Sequence, residues 1–146
     1  MKLNEMKANV NGLPAGFAGE KKSWKEVKER FEILGACIIQ RPARSKAGEP
    51  LVFQHGDRAG EPVMDRQAVL KIRTEDGKIC IVRTNSKKIT SLFAYCCEEK
   101  IGEKNRFGDE VFTAQDLPEG WLKFVPCEFK YPNDKVGEIA DLIEAD

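Results

Sequence analysis

Residues 66–95 constrain the fold most, because they join two strand patterns through a tight turn and continue into a helix pattern. The turn Glu75-Asp76-Gly77 predicts a three-residue loop in which Gly77 is left-handed and Thr74 lies opposite Lys78. A two-residue loop would place Leu70 opposite Arg83, which is less favourable. The preferred register gathers one apolar face for burial, made of Ala68, Leu70, Ile72, Cys80 and Val82.

The opposite face of this predicted hairpin is basic. Lys71, Arg73 and Arg83 alternate on it with two apolar side chains, Ile79 and Ile81. Isolated isoleucines among cations are unusual on a face that meets only solvent. The pattern therefore favours a face that binds an anionic ligand or partner.

A helix is predicted to follow the hairpin. Ser86 is a good N-cap, since its hydroxyl can accept from a free amide of the first turn. Ile89, Leu92, Phe93 and Cys96 then recur at helical spacing and form one stripe for burial.

Further strands are predicted on both sides of this unit. Residues 31–41 are rich in β-formers, with Gly35 marking a bulge or bend. Residues 121–130 form another strand, which Pro126 restricts to an edge or a bulge. The Gly- and Pro-rich residues 42–65 predict a long loop with a short strand at 51–55, and residues 100–119 predict a polar loop.

Two flanking helices are expected. Ser23-Trp24-Lys25-Glu26 is a capping-box pattern, which predicts a short helix starting at Ser23. At the other end, Val136, Ile139, Ala140 and Ile143 share a helical face. We therefore expect three regions: a flexible arm at 1–22, one β-rich domain at 23–132, and an acidic C-terminal helix or tail at 133–146.

Charge is balanced overall and uneven along the chain. The 146 residues suit one domain with a real core and carry a formal net charge of zero. Residues 41–90 hold eleven basic and six acidic side chains, whereas residues 91–146 hold six and thirteen. A basic middle indicates an anion-binding surface, although a mixed solvated surface explains it equally well. The acidic end could compete for that surface or recruit a protein partner.

Cysteine usage indicates a reducing compartment. There are five cysteines, an odd number, without a CxxC pair, and the N-terminus has no long apolar leader stretch. An intracellular, cytoplasmic setting is expected. Since no run of about 18 apolar residues exists, we expect no membrane span.

Catalytic and metal-binding patterns are missing from the sequence. His55 is the only histidine, and neither a nucleophile motif nor a phosphate loop is present. The vicinal Cys96 and Cys97 would diverge by about 100° on one helix, so they cannot easily chelate one tetrahedral ion. We therefore expect a protein that is not an enzyme and that needs no metal and no cofactor.

Nucleic acid is the remaining ligand class that the residues favour. A cationic groove combined with aromatic platforms holds single strands, and the chain offers both. Trp24, Trp121 and Tyr131 could also stack on bases, although a core position is favoured for Trp121, Phe124 and Phe129. The predicted nucleic-acid-binding residues are Arg41, Arg44, Lys46, Phe53, Arg58, Lys71, Arg73, Arg83, Lys87 and Lys88.

The predicted order of strand, long loop, hairpin, helix and strand is that of an OB-fold, a five-stranded barrel with its helix between the third and fourth strands. Over residues 23–131 the chain resembles the small OB-fold single-stranded-DNA-binding proteins of bacteriophages. The resemblance rests on Trp24 before the first strand, on the hairpin leading into Arg83-Thr84-Asn85-Ser86-Lys87-Lys88-Ile89, and on the strand after Leu117-Pro118. It implies sequence-tolerant coating of single-stranded DNA in phage replication, recombination or repair. The balanced charge and the insertions at 42–65 and 100–119 depart from that pattern.

A protein-interaction module is the alternative, for example a phage factor that inhibits a host enzyme or defence complex. Ile79 and Ile81 would then anchor an interface, and the basic ring would dock an acidic surface. The sequence leaves DNA versus RNA preference and the oligomeric state open, a dimer included.

Overall fold

The computed structural model describes residues 13, 16–96, 103–104, 110–114 and 116–145, with only the backbone at positions 103, 104 and 110. Within them the chain forms eight strands and one helix. These are β1 (Glu20–Lys22), β2 (Phe31–Pro42), β3 (Met64–Thr74), β4 (Ile79–Thr84), α1 (Lys87–Cys96), β5 (Glu103–Lys104), β6 (Glu110–Thr113), β7 (Leu122–Lys130) and β8 (Val136–Glu144).

The strands form one mixed sheet that curls into a half-barrel. The order along the main path is β1-β4-β3-β2-β6-β5, and β7 joins β2 to β8. Only the β1–β4 pairing is parallel; the other pairings are antiparallel. The prediction of a β-rich, barrel-like domain is therefore confirmed as far as the curled sheet and its single described helix are concerned.

The central hairpin has the predicted register. Ile72 lies opposite Cys80 and Leu70 opposite Val82, and the amide of Thr74 donates to the carbonyl of Lys78 at 2.9 Å. Gly77 has a φ of 85°, so the turn needs the left-handed conformation that glycine adopts without strain.

Strand β2 is bulged where the sequence predicted it. The register with β3 shifts between Ile33 and Gly35. A Cβ at Gly35 would lie 3.3 Å from Cζ of Phe17, so glycine also gives room for that ring. The bulge lets one long strand bend around the barrel core.

Two apolar clusters lie on opposite faces of strands β2–β4. The barrel interior is filled by fully buried side chains, among them Phe31, Leu70, Ile72, Ile89 and Phe93. The outer cluster consists of Leu13, Phe17, Cys37, Ile39, Val69, Ile81 and Val111. Because both faces of the central strands are covered, their sequences read as nearly continuous apolar runs.

The two predicted flanking helices are wrong. At Ser23 the amide of Glu26 donates to the Ser23 carbonyl at 3.1 Å, and the chain makes only a turn. Only eight residues separate β1 from β2, and pairing of both strands fixes the two ends before a helix can propagate. Residues 136–144 form β8, since pairing along the whole of β7 outweighs a weak helical pattern that contains Gly137.

The C-terminal segment is consequently part of the sheet. Ala140 is fully buried. Deleting residues 136–146 would therefore remove a strand of the barrel, and it would not test whether an acidic tail competes for the basic surface. The described part of the N-terminal arm is also packed, because Leu13 and Phe17 are buried and β1 pairs with β4.

The two predicted loops are more regular than expected. Residues 43–63 form a hydrogen-bonded ribbon in which the amide of Val63 donates to Leu51 and the amide of Leu51 donates to Ala43. The strand expected at 51–55 shrinks to an isolated bridge between Val52 and Pro62. Within residues 100–119, β6 pairs with the second half of β2.

Helix α1 begins at Lys87, directly after Ser86, as predicted. The Ser86 carbonyl accepts from Thr90 at 2.8 Å, whereas its buried hydroxyl donates to the carbonyl of Ala140 at 2.5 Å. Ala140 lies opposite Pro126, which has no amide hydrogen to offer its partner. The Ser86 hydroxyl thus links β8 to the start of the helix. In the apolar stripe predicted for this helix, Ile89 and Phe93 are buried, whereas Leu92 is exposed.

Candidate nucleic-acid interface

The predicted basic face of the hairpin is only partly available. Arg83 is exposed and Lys71 is half-buried, but Nη2 of Arg73 lies 2.9 Å from a carboxylate oxygen of Glu32. Ile81 is buried in the outer cluster instead of projecting as an interface anchor. The basic face that is available to a ligand is therefore smaller and less cationic than the sequence predicted.

A second group of predicted residues lies on or beside the ribbon 43–63. Arg41 and Lys46 are exposed, while Nη1 of Arg44 donates to the carbonyl of Gly48 at 3.0 Å. The Arg58 guanidinium stacks 4.7 Å from the Phe53 ring centroid and is held by Glu61 at 2.9 Å. These contacts order the ribbon's cations and cover one side of its aromatic ring.

The third group lies in a groove of about 390 Å³ at one end of the half-barrel. The groove is lined by the start of β3, by the link from β4 into α1 and by the end of β7. Its lining residues are Met64, Asp65, Arg66, Asn85, Lys87, Thr90, Ser91, Phe129, Tyr131 and Ile139. Lys88 is exposed beside it in the first turn of α1.

Two aromatic rings form one wall of this groove. The rings of Phe129 and Tyr131 meet edge to face, with centroids 5.0 Å apart and planes at 76°. Nζ of Lys87 lies 5.4 Å from the Phe129 centroid. Tyr131 is 40% exposed, so a face of its ring can receive a further planar group.

The turn between β7 and β8 fixes Tyr131. Its amide donates to the carbonyl of Lys135 at 2.8 Å, and its carbonyl accepts from Asp134 at 3.0 Å. Asp134 has a φ of 63°, a left-handed conformation that aspartate tolerates better than most residues. The ring lies against Gly137, where a Cβ would come within 2.6 Å of Cε2. Local backbone geometry thus places this ring.

Positive charge dominates the groove. Arg66 and Lys87 face one carboxylate, Asp65, and Nε of Arg66 donates to Gln40 at 2.9 Å. Helix α1 carries no acidic residue in its first turn, where Lys87 and Lys88 add to the positive end of the helix dipole. Acidic side chains normally occupy that place, so an anion bound here would relieve an unfavourable local charge.

Among the predicted residues only Lys87 enters the groove. Sequence reasoning missed Arg66, Asn85 and Ser91 and treated Phe129 as a core residue. One signal was present: Ala68 opposite Thr84 in the predicted register already places Arg66 and Asn85 at the same end of the sheet. Nothing local connects that end with residues 129–131.

Two carboxyl groups at the hairpin turn have lowered pKa values. At the hairpin turn, a hydrogen bond from Arg30 holds the pKa of Glu75 below its usual value, and one from Thr74 does the same for Asp76. Burial raises the pKa of the Cys80 thiol, so this cysteine behaves as a small apolar side chain.

No family model matches the chain, and no characterised protein or solved structure is significantly similar to it. In the part of the chain that the structure describes, no helix is both long and apolar enough to cross a membrane. Within those same residues, no group of three or more His, Cys, Asp and Glu side chains is arranged to hold a metal ion.

Proposed function

We propose that this protein binds single-stranded nucleic acid without sequence preference, through the groove and the neighbouring ribbon. The observation that carries the proposal is that Arg66 and Lys87 line one groove together with the rings of Phe129 and Tyr131. Cations beside exposed rings are the combination that holds single strands, since phosphates meet charge and bases stack. The role is binding, without catalysis.

The strand order of the half-barrel supports this proposal, because an OB-like barrel would have the same order. The path β4-β3-β2-β7-β8 joins five strands, with α1 between the third and fourth in chain order. In OB-folds the loops between strands one and two and between strands four and five bind oligonucleotides. Their counterparts here would be the ribbon 43–63 and the turn 131–135. The groove is lined by Met64 and Asp65, directly after the ribbon, and by Tyr131 in the turn. Strands β1, β5 and β6 would be additions to that plan.

The binding mechanism combines two terms. Arg66 and Lys87 in the groove, together with Lys46 and Arg58 on the ribbon, would contact two to four phosphates and release their counterions. For single strands each phosphate contributes about −0.7 to the slope of log K against log salt, so we expect a slope of about −1.4 to −2.8. Between about 50 and 200 mM salt the affinity should then fall about 7- to 50-fold. Tyr131 adds stacking that does not depend on salt.

The biological setting follows from the same chemistry together with the resemblance. Sequence-tolerant binding would suit the coating of exposed single strands during DNA replication, recombination or repair, in a bacteriophage or its host. Asp65 in the groove and the balanced net charge favour moderate affinity, which suits a protein that must be displaced by the copying or pairing machinery.

A pair of double variants tests the groove against the hairpin face. Arg66→Gln/Lys87→Gln should weaken binding of labelled oligo-dT and make the salt slope shallower by about 1.4. Lys71→Gln/Arg83→Gln removes the same charge from the hairpin, and Lys123→Gln, exposed on β7, is the control. A loss confined to the hairpin variant would refute the groove. Equal losses in the two double variants, with about half that change in log K for the single-charge control, would mean that only net charge matters.

A further inference from the structure

A second, smaller pocket lies on the outer face of the sheet, beside β1. Its volume is about 240 Å³, and its residues are Leu13, Lys21, Lys22, Ser23, Val69, Ile81 and Arg83. The floor is apolar, since Leu13, Val69 and Ile81 belong to the outer cluster. Cross-strand pairing places Lys21 beside Ile81 and Arg83 beside Val69, so cations stand at the edge of that floor.

The cations at this pocket, like most Lys and Arg side chains of the described residues, form no ion pair. Arg30, Arg58 and Arg73 each have a carboxylate within 3 Å. Around Lys21, Lys22 and Arg83, by contrast, no carboxylate of the described residues lies within the 4.0 Å of an ion pair. Three neighbouring positive charges repel one another, and acidic groups brought by a ligand would relieve that repulsion.

We propose that this pocket docks an extended acidic segment of a partner protein, which lies across the outer face of β1 and β4 and inserts one apolar side chain between Leu13, Val69 and Ile81. Side chains of an extended peptide alternate between faces, so acidic residues two positions before and after the anchor would share its face and reach Lys21 and Arg83. The motif is acidic-x-apolar-x-acidic. This docking is separate from the proposed nucleic-acid groove and does not depend on it.

The composition of the pocket favours a peptide over a nucleic acid. None of its lining residues is aromatic, so a base would find no ring on which to stack. A phosphate backbone could meet the cations but would leave the apolar floor exposed to water. An apolar side chain flanked by carboxylates satisfies both parts of the pocket.

Fluorescence anisotropy with a capped peptide tests this proposal. The probe contains two copies of Asp-Ser-Leu-Ser-Glu, with the leucines replaced by serine in one control and the acids by lysine in another. The proposal predicts saturable binding at about 10–100 µM that both controls lose. Binding should persist when excess oligo-dT occupies the groove, so this proposal and the nucleic-acid proposal can fail separately.

Three variants locate the binding. Lys21→Gln/Arg83→Gln should weaken peptide binding about tenfold, because each exposed charge contributes about two- to fivefold. Ser23→Trp keeps the cations but fills the socket, and it should cost about tenfold or more. Lys123→Gln should leave binding unchanged. Absence of binding up to about 1 mM, displacement by oligo-dT, or full binding by Ser23→Trp would each overturn the proposal.

Discussion

Replacing Gly137 by alanine tests the groove by moving one ring. The added Cβ would lie 2.6 Å from Cε2 and 3.3 Å from the hydroxyl oxygen of Tyr131. Non-bonded carbon atoms prefer about 3.5–4.0 Å, so the ring must retreat by about 1 Å. Gly137 is not among the residues with positive φ, and its backbone accepts alanine without strain. The substitution therefore acts on Tyr131 and not on the cations.

The stability terms of this change nearly cancel. Alanine within a strand gains about 0.5–1 kcal/mol over glycine, whereas loosening the edge-to-face contact with Phe129 costs about 0.5–1.5 kcal/mol. The free energy of unfolding should stay within about 1 kcal/mol of the wild type. Urea denaturation followed by tryptophan fluorescence measures this and shows whether the variant is folded.

The loss of affinity for oligo-dT, in contrast, should not be offset by any gain. Stacking of one base contributes about 1–3 kcal/mol, so a displaced Tyr131 should cost about 5- to 150-fold in affinity for oligo-dT. Tyr131→Ala should cost the same, and Tyr131→Phe, which keeps the ring, should bind like the wild type. Adding Gly137→Ala to Tyr131→Ala should cost nothing more, because both changes remove one interaction. A folded Gly137→Ala variant with unchanged affinity would refute the stacking role of Tyr131.

Three further predictions concern other parts of the fold. Ser86→Ala leaves the carbonyl of Ala140 without its buried donor and should lower the free energy of unfolding in urea by about 1–3 kcal/mol. A decrease of less than about 0.5 kcal/mol would contradict a stabilising hydrogen bond between Ser86 and β8. Phe53→Ala removes the ring that Arg58 stacks on and should weaken oligo-dT binding about fivefold or more; unchanged anisotropy would exclude the ribbon from the interface. The folded pKa of Glu75 is lowered, so its contribution to stability is present above the unfolded pKa and is lost as the pH falls from about 5 to about 3. Glu75→Gln should therefore show a shallower loss of thermal stability in that window, and an unchanged acid limb would refute the Arg30 interaction.

Local sequence was sufficient to predict the hairpin. The positions of the basic residues and a glycine that must be left-handed favour one register, and Thr74 opposite Lys78 follows directly. The bulge at Gly35 and the start of α1 after Ser86 were predicted for the same reason. Each depends on residues close together in the chain.

Elements that depend on distant partners were predicted poorly. Residues 136–144 carry a weak helical pattern, but the long exposed edge of β7 makes them a strand. Ser86 was expected to bond within its own helix, yet its hydroxyl reaches Ala140. The groove also depends on residues that are distant in sequence, since Arg66, Lys87 and Tyr131 come from three separate chain segments. No periodicity could have brought them together.

Single-strand binding by the groove is tested most directly by anisotropy of labelled oligo-dT and of a matched duplex. The measurement is made at about 50 and about 200 mM salt. We expect binding of the single strand in preference to the duplex, weakened about 7- to 50-fold by the added salt, and reduced further by Arg66→Gln/Lys87→Gln. No binding at the lower salt, or equal binding of single strand and duplex, would contradict it.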